Sequence, residues 1–317
     1  MKLIDLLQVA TLPPALIERL SENYRIHQCV DGSGADELLE KVGPNIRGIL
    51  AGGTQGPDAN LIGSLPNLEI IASHSVGFDA TDVVAAQSRG VLVTHTPEVL
   101  TGDVADLAMT LILMVTRRVG ESERFLRRGE WLKKRMDFGV TVKGRTLGIL
   151  GLGRIGKAVA RRAEVFGLNI AFHDIQPMGD LPYRHYPTLT DLAEASDILL
   201  VACEGGPANR GLVDASILRS LGSKGYLVNT ARGPIVNQKD LIEALKSGVI
   251  AGAGLDVFDG EPTVPDELLE MENVVLTPHI ASSTHETRRA MADLVIANLD
   301  AYFSGKPVLT PVPPQVS

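Results

Sequence analysis

Short, nearly continuous apolar runs alternate with helical patterns from one end of this chain to the other. Runs at residues 3–7, 25–30, 46–50, 68–72 and 91–94 predict strands, with helical stretches such as 14–23 and 36–41 between them. A second series opens at 146–150 and continues through 169–173, 198–202, 226–229, 252–256 and 274–277. Helical patterns intervene again, over 157–166, 189–195 and 238–247. Strands apolar on both faces and separated by helices belong to a parallel sheet that is covered on both sides. The expected fold is α/β, built from two doubly wound parallel-sheet units.

Length supports that count. A chain of 317 residues exceeds what one core of roughly 250–300 residues holds, and 44% hydrophobic residues are enough for two cores. Two helical segments fall where the units must meet. One, over 102–119, is apolar on almost every side, as at a domain junction or subunit interface. The other, over 284–303, carries Met291, Leu294, Val295 and Leu299 at helical spacing. If it returns the chain to the first unit, that unit is discontinuous. The expected domains are then 1–99 with 282–317, and 100–281 inserted between them. Residues 306–314, KPVLTPVPP, are too proline-rich for regular structure and predict a plain tail.

Charge and cysteine content exclude several classes. Lys and Arg number 30 against 38 Asp and Glu, a net charge of −8, which argues against nucleic acid or an anionic membrane as general partners. Cys29 and Cys203 cannot form a disulfide framework or a Cys-rich zinc site, and no acidic cluster or HExxH pattern implies a metal. The N-terminal stretch is interrupted by Asp5, and the apolar run 104–115 contains Asp106 and is too short to span a bilayer. A cytoplasmic protein is expected.

The segment Gly151-Leu152-Gly153-Arg154-Ile155-Gly156 runs from a predicted strand directly into a predicted helix. In a G-x-G-x-x-G so placed, Gly151 permits the tight turn and Gly153 the approach of a pyrophosphate. Gly156 permits close helix–strand packing. Asp174 closes the next strand, where a carboxylate accepts both ribose hydroxyls of NAD and repels a 2′-phosphate. Ile175, Gln176 and Pro177 supply no arginine for such a phosphate, so NAD is favoured and NADP admitted. Arg154 could contact phosphate or lie on a solvated face.

Three later segments hold ionisable groups just past predicted strands, where open α/β sheets place ligands. They are Asn229–Gly233 with Arg232, Asp256–Pro262 with Glu261, and Thr277–Ile280 with His279. An arginine can grip a carboxylate in a forked pair, a histidine can deliver a proton, and a glutamate can orient that histidine. His74, before Ser75-Val76-Gly77, is expected to be structural.

With HSVGFDATD, LTGDVADLAMTLILMVTRR, GILGLGRIGKAVA, LVNTARGPIVN, GLDVFDGEP and LTPHIASST in this order, the chain resembles the D-isomer-specific 2-hydroxyacid dehydrogenases. It is most similar to their glyoxylate/hydroxypyruvate reductase-like branch. The resemblance implies a Rossmann NAD-binding domain inserted into a discontinuous, flavodoxin-like substrate domain. It implies reversible NAD(P)H-dependent reduction of a small 2-keto acid to the D-2-hydroxy acid. Arg232 would bind the substrate carboxylate, His279 would act as acid/base, and Glu261 would be its partner. Substrate would also meet Ala51, Gly52 and Gly53 and the backbone N–H groups of Val76 and Gly77. Cofactor contacts are implied at Thr101, Arg154, Ile155, Asp174, Cys203, Thr230 and Asp256, with Arg232 and His279 beside them. A homodimer through the central unit is implied as well. Trp131 would either reach a partner's pocket or anchor the interface, beside the basic cluster Arg127, Arg128, Lys133, Lys134 and Arg135. The alternative on the same scaffold is a dinucleotide-sensing protein of corepressor type, but the chain lacks long interaction tails.

Overall fold

The computed structural model describes residues 3–30, 35–175 and 181–314. The chain divides into two compact units, Met1–Leu100 with His285–Ser317, and Thr101–Thr284. The first holds strands β1 (Ile4–Gln8), β2 (Tyr24–Gln28), β3 (Ile46–Ala51), β4 (Ile70–Ser73) and β5 (Leu92–Thr94). They form a parallel sheet in the order β2-β1-β3-β4-β5. This is the 2-1-3-4-5 flavodoxin-like order, whose direction of winding reverses between β1 and β3.

The second unit holds β6 (Thr146–Leu150), β7 (Asn169–His173), β8 (Arg184–His185), β9 (Ile198–Val201), β10 (Tyr226–Asn229), β11 (Gly252–Leu255) and β12 (Val274–Leu276). Their order is β12-β11-β10-β9-β6-β7-β8, with parallel pairing throughout. Counted from β6, this is the Rossmann order 3-2-1-4-5-6 with one strand added, and the switch lies between β6 and β9.

The inner apolar runs seen in sequence, such as β4 and β9, are strands buried on both faces. In β9, Ile198 and Leu200 join one core with Leu147, Ile149 and Val228, while Leu199 and Val201 join the other with Leu227, Ala253 and Leu255. That division follows from the two-residue period of a strand. In the first unit, Leu6, Leu50, Ile70 and Ala72 pack with Ala292, Val295 and Leu299 of the His285–Phe303 helix.

Three local expectations are corrected. The single helix over 102–119 is two helices, Thr101–Thr116 and Val119–Arg127. The buried Thr116 hydroxyl turns back to donate to the Ile112 carbonyl at 2.7 Å, and the chain bends through Arg118 at φ 54°. Part of its apolar surface packs within its own unit: Val115 and Leu111 lie where a side chain on Gly252 or Gly254 of β11 would stand. The helix expected from Lys157 begins at Arg154, directly after the glycine N-cap Gly153. Residues 306–314 are not a plain tail. Pro311 bridges Thr94 antiparallel, and Val312 N–H donates to the Val93 carbonyl at 2.8 Å, so this segment covers the β5 edge. Buried Asn298 secures it, its Oδ1 accepting from Leu309 and Thr310 N–H. The exposed two-residue strand β8 carries no apolar pattern and was not anticipated.

His74, past β4, is buried, and its Nε2 has no hydrogen-bond partner among the described residues. Burial and then the Arg288 guanidinium lower its pKa to about 4. In the unfolded chain a histidine binds its proton near the ordinary value of about 6.5. Between those values the unfolded state holds more protons, so acidification through this window removes stability, at most about 3 kcal/mol from this group. Denaturant midpoints measured from pH 7 to pH 4.5 are expected to fall less steeply in His74→Gln than in the parent. Parallel curves would remove His74 as the cause.

Candidate active site

The glycine loop follows β6 at the switch point of its sheet. Gly151 has φ 91°, and a Cβ there would lie 2.6 Å from the Cys203 backbone, which follows β9. The loops of the two switch strands therefore touch, and only glycine allows it. A Cβ on Gly156 would stand 2.3 Å from the Gly151 carbonyl oxygen, so the helix start presses against the loop. At Gly153 nothing lies within 4 Å of the corresponding position. This open space adjoins the first turn of the Arg154–Val165 helix, which has no acidic residue. First-turn N–H groups lack intrahelical acceptors and attract anions.

Asp174, past β7, accepts Leu152 N–H through Oδ2 at 2.9 Å, which ties it to the loop. Residues 176–180, which include the Gln176 and Pro177 of the cofactor argument, lie outside the described residues. Cys203 is partly buried, and burial, followed by the Asp174 and Glu204 charges, pushes its thiol up to about 12. Its protonated form is favoured, and it is the Cys203 backbone that lies against the loop. Thr101 opens its helix, and the Thr230 hydroxyl, just past β10, is buried with no partner among the described residues. A glycine cradle with room at Gly153, a tethered carboxylate and an orphaned hydroxyl fit a dinucleotide.

The ionisable groups sit past β10, β11 and β12, which are neighbours in the sheet. The Asn229 side chain bridges the turn after β10, accepting from Ala231 N–H and donating to the Arg232 carbonyl, both at 3.0 Å. Arg232 Nη1 donates to the Ala231 carbonyl at 2.8 Å. The next residue, Gly233, lies directly against Phe258: a Cβ there would fall 1.9 Å from the Phe258 carbonyl carbon. This packing joins the arginine turn to the turn that carries Glu261.

Glu261 Oε1 accepts Phe258 N–H at 2.9 Å, and Oε2 is 2.7 Å from His279 Nδ1. Burial alone would raise the Glu261 carboxyl. The His279 hydrogen bond, the Phe258 N–H and the positive charges of His279 and Arg232 outweigh burial and hold it below the usual carboxylate range. It therefore stays ionised beside the imidazole at neutral pH.

His279 occupies the left-handed region at φ 52°, which is costly for a non-glycine residue. Asp256 enforces that turn. Its fully buried carboxylate accepts from the Thr277 hydroxyl at 2.7 Å, Ile280 N–H at 2.8 Å and Ala281 N–H at 3.0 Å. Burial raises the Asp256 pKa despite these donors. Asp256, for which the sequence implied a cofactor contact, thus also holds the histidine turn.

In the first unit, Ala51 ends β3, Gly52 and Gly53 follow it, and Val76 and Gly77 follow its neighbour β4. His74 N–H donates to the Ala51 carbonyl at 2.9 Å, and His95 Nδ1 meets the Val76 carbonyl at 2.8 Å. The two loops stand together at the C-terminal edge of their sheet, where such sheets bind ligands. Sequence reasoning missed Asn229, Thr277, Gln238 and Asp259; Thr277, Gln238 and Asp259 bond across 21 or more positions of the chain, whereas the Asn229 side chain bonds within its own turn.

Comparison with known proteins agrees with this geometry. Residues 109–281 match the family model described as D-isomer specific 2-hydroxyacid dehydrogenase, NAD binding domain. Glyoxylate/hydroxypyruvate reductase A of Arabidopsis thaliana is 46% identical over 98% of this chain and 100% of its own length. Hydroxyphenylpyruvate reductase of Plectranthus scutellarioides is 44% identical with the same coverage. Among solved structures, the NADPH-dependent glyoxylate/hydroxypyruvate reductase of Sinorhizobium meliloti in complex with NADP and malonate has a TM-score of 0.91 at 42% identity. That match covers 97% of this chain and 96% of the other. With its glycine cradle at the switch point and its Arg, Glu and His on adjacent strand ends, the chain belongs to the D-isomer specific 2-hydroxyacid dehydrogenases, oxidoreductases with an NAD binding domain.

Proposed function

We propose that the protein reduces a small 2-keto acid, of the glyoxylate or hydroxypyruvate type, to the D-2-hydroxy acid. The observation that carries this reading is the 2.7 Å contact between His279 Nδ1 and Glu261, on a turn packed against that of Arg232. Thr101, Gly151, Gly153, Arg154, Ile155, Gly156, Asp174, Cys203, Thr230 and Asp256 would hold the dinucleotide. When bound in reduced form, it supplies the hydride that adds to the keto carbon.

The remaining chemistry belongs to this chain. Arg232 grips the substrate carboxylate in a forked pair. With Nδ1 committed to Glu261, His279 presents Nε2 to the keto oxygen and gives it a proton. Glu261 stabilises the imidazolium before that transfer and fixes the ring throughout. In the reverse direction the neutral ring takes the hydroxyl proton.

Asp174 favours NADH, since a 2′-phosphate would meet its carboxylate. The protein acts as a cytoplasmic homodimer in this reading. Support for a partner comes from the second unit, where Leu126, Trp131, Leu132 and Phe138 are exposed close together in the chain. The deciding experiment is a steady-state panel. Glyoxylate and hydroxypyruvate are expected to consume NADH with a higher kcat/KM than NADPH. Dinucleotide binding without turnover of any 2-keto acid would favour the sensing alternative instead.

A further inference from the structure

Glu261 lies on a turn between β11 and the Asp266–Glu270 helix, and a turn alone does not hold a carboxylate to a fraction of an ångström. At the centre of that turn is Asp259, which is tied on three sides. Its N–H donates to Gln238 Oε1 at 3.1 Å, and Gln238 Nε2 donates to its carbonyl at 3.3 Å. Arg210 Nη2 donates to its carboxylate at 3.0 Å. Gln238 is the first residue of the Gln238–Lys246 helix, whose start Asn237 caps by accepting Asp240 N–H. The clamp therefore springs from a rigid element. A primary amide facing the N–H and C=O of one residue satisfies both in a single orientation, with its oxygen toward the N–H.

We propose that Gln238 is a positioning residue of the proton relay, fixing the Asp259 backbone on both sides of its Cα so that Phe258 N–H and His279 Nδ1 meet the two oxygens of Glu261. The proposal rests on the reading of His279 and Glu261 given above. Gln238 touches neither of them. It acts by preventing the Phe258–Glu261 turn from shifting, and with it the carboxylate that orients the imidazole.

Gln238→Met tests this, because methionine keeps the length and volume of the side chain and removes both hydrogen bonds. Its kcat is expected to fall about tenfold, a part of the 10²–10⁴ that acid–base groups contribute, while KM for NADH and for the keto acid hold within about twofold. In a Glu261→Gln background the same change is expected to cost less than about twofold, since the carboxylate it positions is gone. Parental kcat in Gln238→Met, or the same tenfold loss in both backgrounds, would overturn the proposal. Gln238→Glu guards against a methionine variant that folds poorly: it keeps the acceptor for Asp259 N–H, and its kcat is expected between those of parent and Gln238→Met. Parental kcat there overturns the proposal too. Full turnover by Glu261→Gln itself would bring down the relay reading and this proposal together. Parental Gln238→Met beside an inactive Glu261→Gln would bring down this proposal alone.

Discussion

His279→Ala is expected to lose turnover by about 10²–10⁴-fold while its affinity for NADH stays within about twofold of the parent. Proton delivery requires a titratable group at one fixed place, and the Glu261 contact at 2.7 Å singles out this imidazole. The variant is a clean test because the turn does not depend on the ring. Asp256 holds the backbone through Thr277, Ile280 and Ala281. His279 N–H itself donates to the Asp256 carbonyl at 2.9 Å. Alanine at φ 52° stays in the left-handed region, which histidine tolerates somewhat better, so only a small loss of stability is expected. The glycine cradle lies on other strands and should bind the dinucleotide as before. Steady-state kinetics together with NADH fluorescence titration separate the two quantities. Full activity in His279→Ala would sink the assignment, and loss of NADH binding would show that the residue serves the cofactor instead.

The alternation of apolar runs with helices was enough to foresee both sheets, because the inner strands of a parallel sheet are covered on both faces and cannot hide their pattern, whereas the exposed edge strand β8 could. The cradle was legible for a related reason: Gly151 and Gly156 stand where any side chain would strike backbone. What stayed hidden depends on contacts distant in sequence. The break at Arg118 leaves no mark in a run whose residues suit a helix, and the Thr116 bond to Ile112 does not announce it, since Thr110 bonds back to Asp106 in the same helix without a break. The proline-rich segment looked unstructured because proline lacks a donor, yet Val312 and the Thr310 carbonyl still pair with the β5 edge. Glu261 and His279 could be nominated from their places after strands. That Asp256 spends its carboxylate on the histidine turn required the tertiary structure, because its donors lie 21 to 25 residues away.

Gly233→Ala is expected to lower kcat/KM by about 10²-fold, since a misplacement of roughly 1 Å in a positioned catalytic group has an effect of that size. The added methyl would lie 1.9 Å from the Phe258 carbonyl carbon, 2.0 Å from its oxygen and 2.4 Å from Asp259 nitrogen. All three are backbone atoms, so no side-chain rotation relieves the contact. Either the Arg232 turn or the Phe258–Glu261 turn must move by more than an ångström to reach ordinary van der Waals distance. Moving the first takes the guanidinium off the carboxylate, and moving the second takes Glu261 off His279. Both routes damage the site, whereas overpacking of this kind costs only on the order of 1–3 kcal/mol in stability. The variant is therefore expected to fold, with a lowered unfolding midpoint and little activity. Kinetics and denaturant titration on the same sample test this, and near-parental kcat/KM in a folded Gly233→Ala would mean that the two turns are not coupled in the way their packing indicates.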